Sequence, residues 1–219
     1  MKHALRQEYL NALGLETWAV RGKSRRAPSE VREAGVDWQG LGARVATCTL
    51  CPLSSTRTRT VFGVGNPEAE WLIVGEAPGD AEDRQGEPFV GPAGLLLNSM
   101  LRAIGLAREQ VFIANVLKCR PPGDRDPAAG EVAECLPYLE QQIALLKPKI
   151  ILAVGPVAAQ IMLRTDLTLE RLRQHVHRYG GSRVPLVVTY HPAHLLRNPT
   201  DKRKAWEDLK FARHLCANV

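Results

Sequence analysis

Four cysteines are spaced as the ligands of a metal centre. Cys48 and Cys51 form a Cys-x-x-Cys pair, and Cys119 and Cys135 follow downstream. One such loop can offer two thiolates to a single centre, and two further sulfurs complete a soft four-ligand set suited to zinc or an iron–sulfur cluster. A second group of residues has the chemistry of a ligand pocket. Glu76 lies in the turn Gly75-Glu76-Ala77-Pro78-Gly79, where glycines allow backbone to approach a ligand closely. Phe89, in an irregular Gly- and Pro-rich stretch, could stack on a flat ring, and the amide of Asn115 sets a donor beside an acceptor. His191 offers a neutral imidazole able to donate a hydrogen bond to developing negative charge.

These residues need a scaffold that brings distant positions together. Four apolar runs of strand length recur, at Trp71–Val74, Val111–Ala114, Ile150–Val154 and Leu186–Thr189. Helical patterns at 92–104, 128–146 and 156–164 separate most of them, and Pro92, Pro127 and Pro156 suit first helical turns. Alternation of this kind predicts a doubly wound, mostly parallel sheet. Val176–Tyr179 is a candidate extra strand paired with 186–189, and Asp37 a candidate cap for a short helix through Val45. Glu76, Asn115 and His191 each follow or close a predicted strand. They therefore converge outside the carboxyl ends of the sheet, where open α/β folds bind ligands. The sequence lacks GxxxxGK[ST] and GxGxxG, which argues against a P-loop and against a dinucleotide site.

The chain has 219 residues, 45% apolar and 24% charged, enough for one sizeable core. Its net charge is +6, yet residues 1–32 hold seven Lys or Arg against three Glu, leaving the rest close to neutral. Residues 1–36 are expected to form a basic extension, a helix over 2–13 followed by a linker, and 37–219 the functional domain. No stretch approaches the ~20 apolar residues of a membrane span, and no apolar signal core follows the N-terminus, so a cytoplasmic protein is expected. Cysteine clusters in that compartment more often bind metal than pair. Cys216 has no assigned role.

Taken together, several segments resemble the family 4 uracil-DNA glycosylases, the iron–sulfur branch of the uracil-DNA glycosylase superfamily. They are Gly75-Glu76-Ala77-Pro78-Gly79 with Glu82-Asp83, Gly86-Glu87-Pro88-Phe89-Val90-Gly91-Pro92-Ala93-Gly94, Asn115-Val116-Leu117-Lys118-Cys119-Arg120-Pro121-Pro122, the cysteine spacing, and His191-Pro192-Ala193. The likeness covers roughly residues 45–215. It implies a three-layer α/β/α fold around a mostly parallel four-stranded sheet, with a structural [4Fe–4S] cluster on Cys48, Cys51, Cys119 and Cys135. The implied activity is excision of uracil from DNA in base excision repair, by flipping the nucleotide into a tight pocket.

By the same resemblance, Gly75, Ala77, Phe89, Asn115 and His191 hold the base: Phe89 stacks on it, Asn115 reads its edge and His191 stabilises charge at O2. Glu76, with Glu82 as the second candidate, stabilises the sugar cation or positions water; Ala77 stands where family 1 enzymes place an Asp. Gly91, Ala93, Pro192, Leu195, Leu196 and Arg197 are implied DNA contacts, a leucine wedging the gap in the duplex and Arg197 pairing with phosphate. His194 departs from the commonest family pattern. The implied partner is uracil-containing DNA bound by a monomer, without a membrane, and residues 1–36 offer a basic segment to a replication or repair protein.

Three rivals are weaker. A relative that bonds covalently to the abasic sugar uses a His after the Asn strand, but no His lies between Ala4 and Gln174. A silent iron–sulfur DNA-binding module would not need a base-reading pocket. A zinc-bound adaptor would be colourless where a cluster absorbs visible light.

Overall fold

The apolar runs that alternate with helical patterns assemble into one six-stranded sheet. The computed structural model describes residues 37–180 and 184–218, and the expected helix 2–13 and basic linker lie outside them. The strands are β1 (Val64–Gly65), β2 (Trp71–Gly75), β3 (Phe112–Asn115), β4 (Ile150–Val154), β5 (His177–Tyr179) and β6 (Val184–Thr189), in the spatial order β1-β3-β2-β4-β6-β5. The inner four are parallel, with Ile73 opposite both Ile113 and Leu152, and Leu152 opposite Val187. Strands β2, β3 and β4 are buried along their whole length, as expected of parallel strands covered on both faces.

The expectation of four strands is corrected to six. The four apolar runs are the parallel core, and short antiparallel strands close each edge. Strand β5 pairs with β6 through His177–Leu186, close to the expected pairing, whereas β1 was not anticipated. Two residues carry too little pattern to be read from sequence.

The helices are α1 (Trp38–Ala46), α2 (Asp80–Gln85), α3 (Pro92–Ala103), α4 (Ala129–Leu146), α5 (Pro156–Leu163), α6 (Leu169–Leu172), α7 (Pro192–Arg197) and α8 (Lys202–Ala217). Asp37 caps α1 by accepting from the Gly40 amide at 2.8 Å, as its residue type predicts. Pro92 and Pro156 occupy first turns, but Pro127 lies before the Ala128 cap of α4. Glu131 supplies that cap, accepting from the Ala128 amide at 2.8 Å.

The β2-to-β3 and β3-to-β4 connections run in opposite directions across the sheet. As right-handed crossovers they place α3 on one face and α4 on the other. The same reversal leaves a crevice between the carboxyl ends of β2 and β4.

Candidate active site

That crevice opens into a cleft of about 920 Å³ whose walls include Glu76, Ala77, Phe89, Asn115, Tyr190 and His191. Glu76 follows β2, Asn115 ends β3 and His191 follows β6, so three strand ends supply the polar groups. Two backbone bonds lock the first two together: the Val116 amide donates to the Gly75 carbonyl at 2.9 Å, and the Leu117 amide to Glu76 at 3.0 Å.

Asn115 is buried, and its Oδ1 is without a hydrogen-bond partner. A buried polar atom left unpaired at a cleft is an acceptor held ready for a ligand. Gly75 makes room for it. A Cβ at Gly75 would overlap Asn115 Oδ1 and stand 2.7 Å from Phe89 Cζ.

Phe89 is buried with φ of 53°, in the left-handed region that a bulky residue rarely adopts. Its loop is tied down on both sides. Glu82 Oε1 accepts from the amides of Val90 at 3.1 Å and Gly91 at 3.4 Å, and Arg108 Nη2 donates to the Pro88 carbonyl at 2.6 Å. Below it Gly94 is obligatory, because any Cβ there would run into the Phe89 carbonyl. Glu82 lines the cleft, but its carboxylate is engaged in holding this loop. Asp83 is likewise structural, accepting from the Thr58 amide at 2.9 Å.

His191 caps α7. Its Nδ1 accepts from the Ala193 amide at 3.2 Å, so the neutral ring carries its proton on Nε2. Burial, with the Arg197 charge nearby, lowers its pKa to about 4, which keeps it neutral at pH 7. Its ring centroid lies 5.6 Å from that of Phe89. Glu76 shifts the other way: burial, with Asp126 adding repulsion, raises it to about 7.

Of the expected DNA contacts, Ala93 and Arg197 line the cleft and Gly91 caps α3. Pro192 is buried at the start of α7. The two leucines separate. Leu195 is 1% exposed and belongs to the core, so its assignment as a surface contact is corrected, whereas Leu196 is 44% exposed. Adjacent positions on a helix point about a quarter-turn apart, and the core takes one of them.

The four cysteines gather away from the cleft. Cys48, Cys51, Cys119 and Cys135 line one small cavity with Val45, Leu50 and Tyr138. The Lys118 amide donates to Cys135 Sγ at 3.1 Å, and Arg57 Nη1 to Cys119 Sγ at 3.2 Å. Burial pushes the Cys135 thiol up to about 11 and the Cys119 thiol above its usual value. Among the described residues, no three His, Cys, Asp or Glu side chains, these cysteines included, close on a single metal ion.

Two supports of the site were not foreseen. Lys118 is buried, and its Nζ donates to the Asn115 carbonyl at 2.8 Å and to Gln142 Oε1 at 2.6 Å. Arg173 lies 4.7 Å over the ring of Tyr190, the residue before His191, and donates to both oxygens of buried Asp208 at 2.7 and 2.9 Å. Thr189 Oγ1 donates to the same carboxylate at 2.8 Å, which fixes the end of β6 against α8. No local pattern marks residues 173 and 208 as partners. Lys118 had a visible signal in its apolar flanks.

The carboxyl ends of the strands and the loop of Phe89 thus bring an aromatic ring, an amide, a neutral imidazole and a carboxyl group to one cleft. The chain belongs to the uracil DNA glycosylase superfamily, which matches residues 62–210. It is 44% identical over 178 residues to the Type-4 uracil-DNA glycosylase of Archaeoglobus fulgidus, spanning 78% of this chain and 89% of that protein. The Type-4 uracil-DNA glycosylase of Sulfurisphaera tokodaii is 43% identical over 178 residues, 78% of this chain and 81% of its own length. That of Thermotoga maritima is 41% identical over 177 residues, 79% of this chain and 91% of its own length. Among the described residues no helix is long and apolar enough to cross a membrane.

Proposed function

We propose that this protein excises uracil from DNA, hydrolysing the N-glycosidic bond of a flipped nucleotide and leaving an abasic site for base excision repair. The observation that carries this reading is the convergence of Glu76, Phe89, Asn115 and His191 on one cleft, with the Asn115 amide oxygen buried and unpaired.

Extruding the nucleotide costs a few kcal/mol, repaid in the pocket. Phe89 stacks on the ring. Asn115 Oδ1 accepts from N3–H and Nδ2 donates to O4. Cytosine presents the reverse pattern and would leave both amide groups unpaired, at about 1–3 kcal/mol each. As the C1′–N1 bond breaks, its electron pair moves onto uracil, and His191 Nε2–H donates to the charge gathering at O2. Staying neutral suits this role, since the ring donates without passing its proton on. Glu76, as carboxylate, stabilises the sugar cation and takes a proton from the water that adds to C1′. The uracil anion then takes a proton from solvent. Arg197 contacts phosphate, and Leu196 fills the gap left in the duplex.

The cysteine site fits a [4Fe–4S] cluster held by Cys48, Cys51, Cys119 and Cys135. The donor set is all sulfur, Arg57 and the Lys118 amide already donate to two of the sulfurs, and the cavity wall is largely apolar. Bound there, the cluster would cross-link the segment after α1, the segment after β3 and α4, away from the base. The protein works as a monomer in the cytoplasm, and residues 1–36 serve as a basic tether to DNA or to a replication or repair protein.

The test is release of free uracil from an oligonucleotide containing one dU, beside a matched dT control. Release from dU alone is the expected result. No release by a folded preparation that binds DNA would overturn the catalytic reading in favour of a silent DNA-binding module.

A further inference from the structure

One buried charge has no part in the chemistry above. The segment Asn115-Val116-Leu117-Lys118-Cys119 is buried throughout and runs in five residues from the base-reading amide to a cysteine of the second site. Within it the Lys118 side chain folds back along its own backbone. Its ammonium bonds the Asn115 carbonyl at 2.8 Å, while its own amide bonds Cys135 Sγ at 3.1 Å. Gln142 of α4 accepts a second ammonium proton at 2.6 Å and donates its amide to the Phe62 carbonyl at 2.9 Å.

A lysine is among the residues least often fully buried. Here it serves a buried carbonyl at the end of a strand: Asn115 is the last residue of β3, and the Lys118 ammonium donates to its oxygen. The side-chain oxygen of Asn115, by contrast, is unpaired. Its position therefore depends on how firmly the backbone at 115 is held.

We propose that Lys118 is a positioning residue for base recognition: by fixing the Asn115 carbonyl from below, and Cys135 through its own amide, it makes the height of the base-reading amide depend on the cysteine site. This rests on the glycosylase reading. The arrangement explains why the strand end and the cysteine site share a segment. A shift of the 115–119 segment moves the amide relative to Phe89 and His191, and misplacement by about 1 Å can reduce rate about 100-fold.

The test compares wild type with Lys118→Met, which keeps length and apolar bulk and the backbone amide on Cys135 Sγ but removes the ammonium and its two hydrogen bonds. Three quantities are read: single-turnover uracil release, metal content per chain, and the ratio of affinities for DNA carrying non-hydrolysable 2′-fluoro-deoxyuridine or 2′-fluoro-deoxycytidine. The expected result is a fall in single-turnover rate of about 10- to 100-fold with metal content unchanged and the uracil-to-cytosine affinity ratio reduced toward unity. A second variant, Gln142→Leu alone, strands the Phe62 carbonyl but leaves the ammonium on the Asn115 carbonyl. It should lower melting temperature yet keep the affinity ratio, which a merely structural lysine would not predict. An unchanged ratio in Lys118→Met, an equal loss of ratio in Gln142→Leu, or activity lost only in step with metal would overturn the positioning role while wild type remained active. Wild type that released no uracil and favoured neither oligonucleotide would overturn the glycosylase reading, and this role with it.

Discussion

Glu76 makes the sharpest prediction because burial brings the titration of this cleft carboxyl up to neutral pH. Burial and Asp126 raise it from 4.5 to about 7, while burial and Arg197 lower His191 from 6.5 to about 4. If the carboxylate form is the active one, about a tenth of the protein is competent at pH 6 and about nine tenths at pH 8. The single-turnover rate, with enzyme in excess over a dU oligonucleotide, should therefore climb about tenfold between these values and level off above pH 8. Glu76→Gln should be slower by about 100-fold or more at pH 8 and flat from pH 5.5 to 8.5. His191 adds no second limb in this window, being neutral throughout. Stability runs in the opposite sense. The folded state keeps the Glu76 proton that the unfolded chain releases, so this group's contribution to stability declines as pH rises from 4.5 to about 7. The His191 contribution rises with pH between about 4 and 6.5, because only the unfolded chain takes that proton. Glu76→Gln should accordingly gain melting temperature over wild type at pH 8 and not at pH 4.5. A flat wild-type rate profile, or a variant that keeps the limb at 7, would refute the assignment of Glu76.

Other expectations follow from the same geometry. Gly75→Ala drives a methyl into Asn115 Oδ1 and Phe89, and should lower single-turnover rate at least tenfold while destabilising by about 1–3 kcal/mol in chemical denaturation. Asp208→Ala strands the Arg173 guanidinium and should cost about 3–5 kcal/mol, read by urea unfolding, with the Tyr190–His191 segment loosened in hydrogen exchange. Leu196→Ala should depress uracil release from duplex more than from single-stranded DNA, since only the duplex leaves a gap to fill.

Much of the architecture was legible because it rests on pattern. The four parallel strands are apolar up to their carboxyl ends, and Pro92 and Pro156 mark helix starts that the backbone respects. Strand ends then brought Glu76, Asn115 and His191 together across more than a hundred residues. Illegible features depend on where a side chain turns after the backbone is placed. Glu82 and Glu76 have the same chemistry, yet one bonds the amides of Val90 and Gly91 and the other faces the cleft. Leu195 and Leu196 differ only in helical phase. Lys118 would be assigned to solvent by type, and only its apolar flanks argue otherwise, while the pairing of Arg173 with Asp208 spans 35 positions with no motif to announce it.

The left-handed Phe89 also bears on how such a pocket changes over time. Its ring closes against Gly75, its carbonyl presses on Gly94, and its loop hangs from Glu82. Replace any one of these by a neighbour in the genetic code and the other three are left fitting a shape that no longer exists. Drift at these positions must therefore be concerted or absent. A change in the base that is read would then have to start elsewhere on the lining of the cleft, which also includes Thr168 and Glu170.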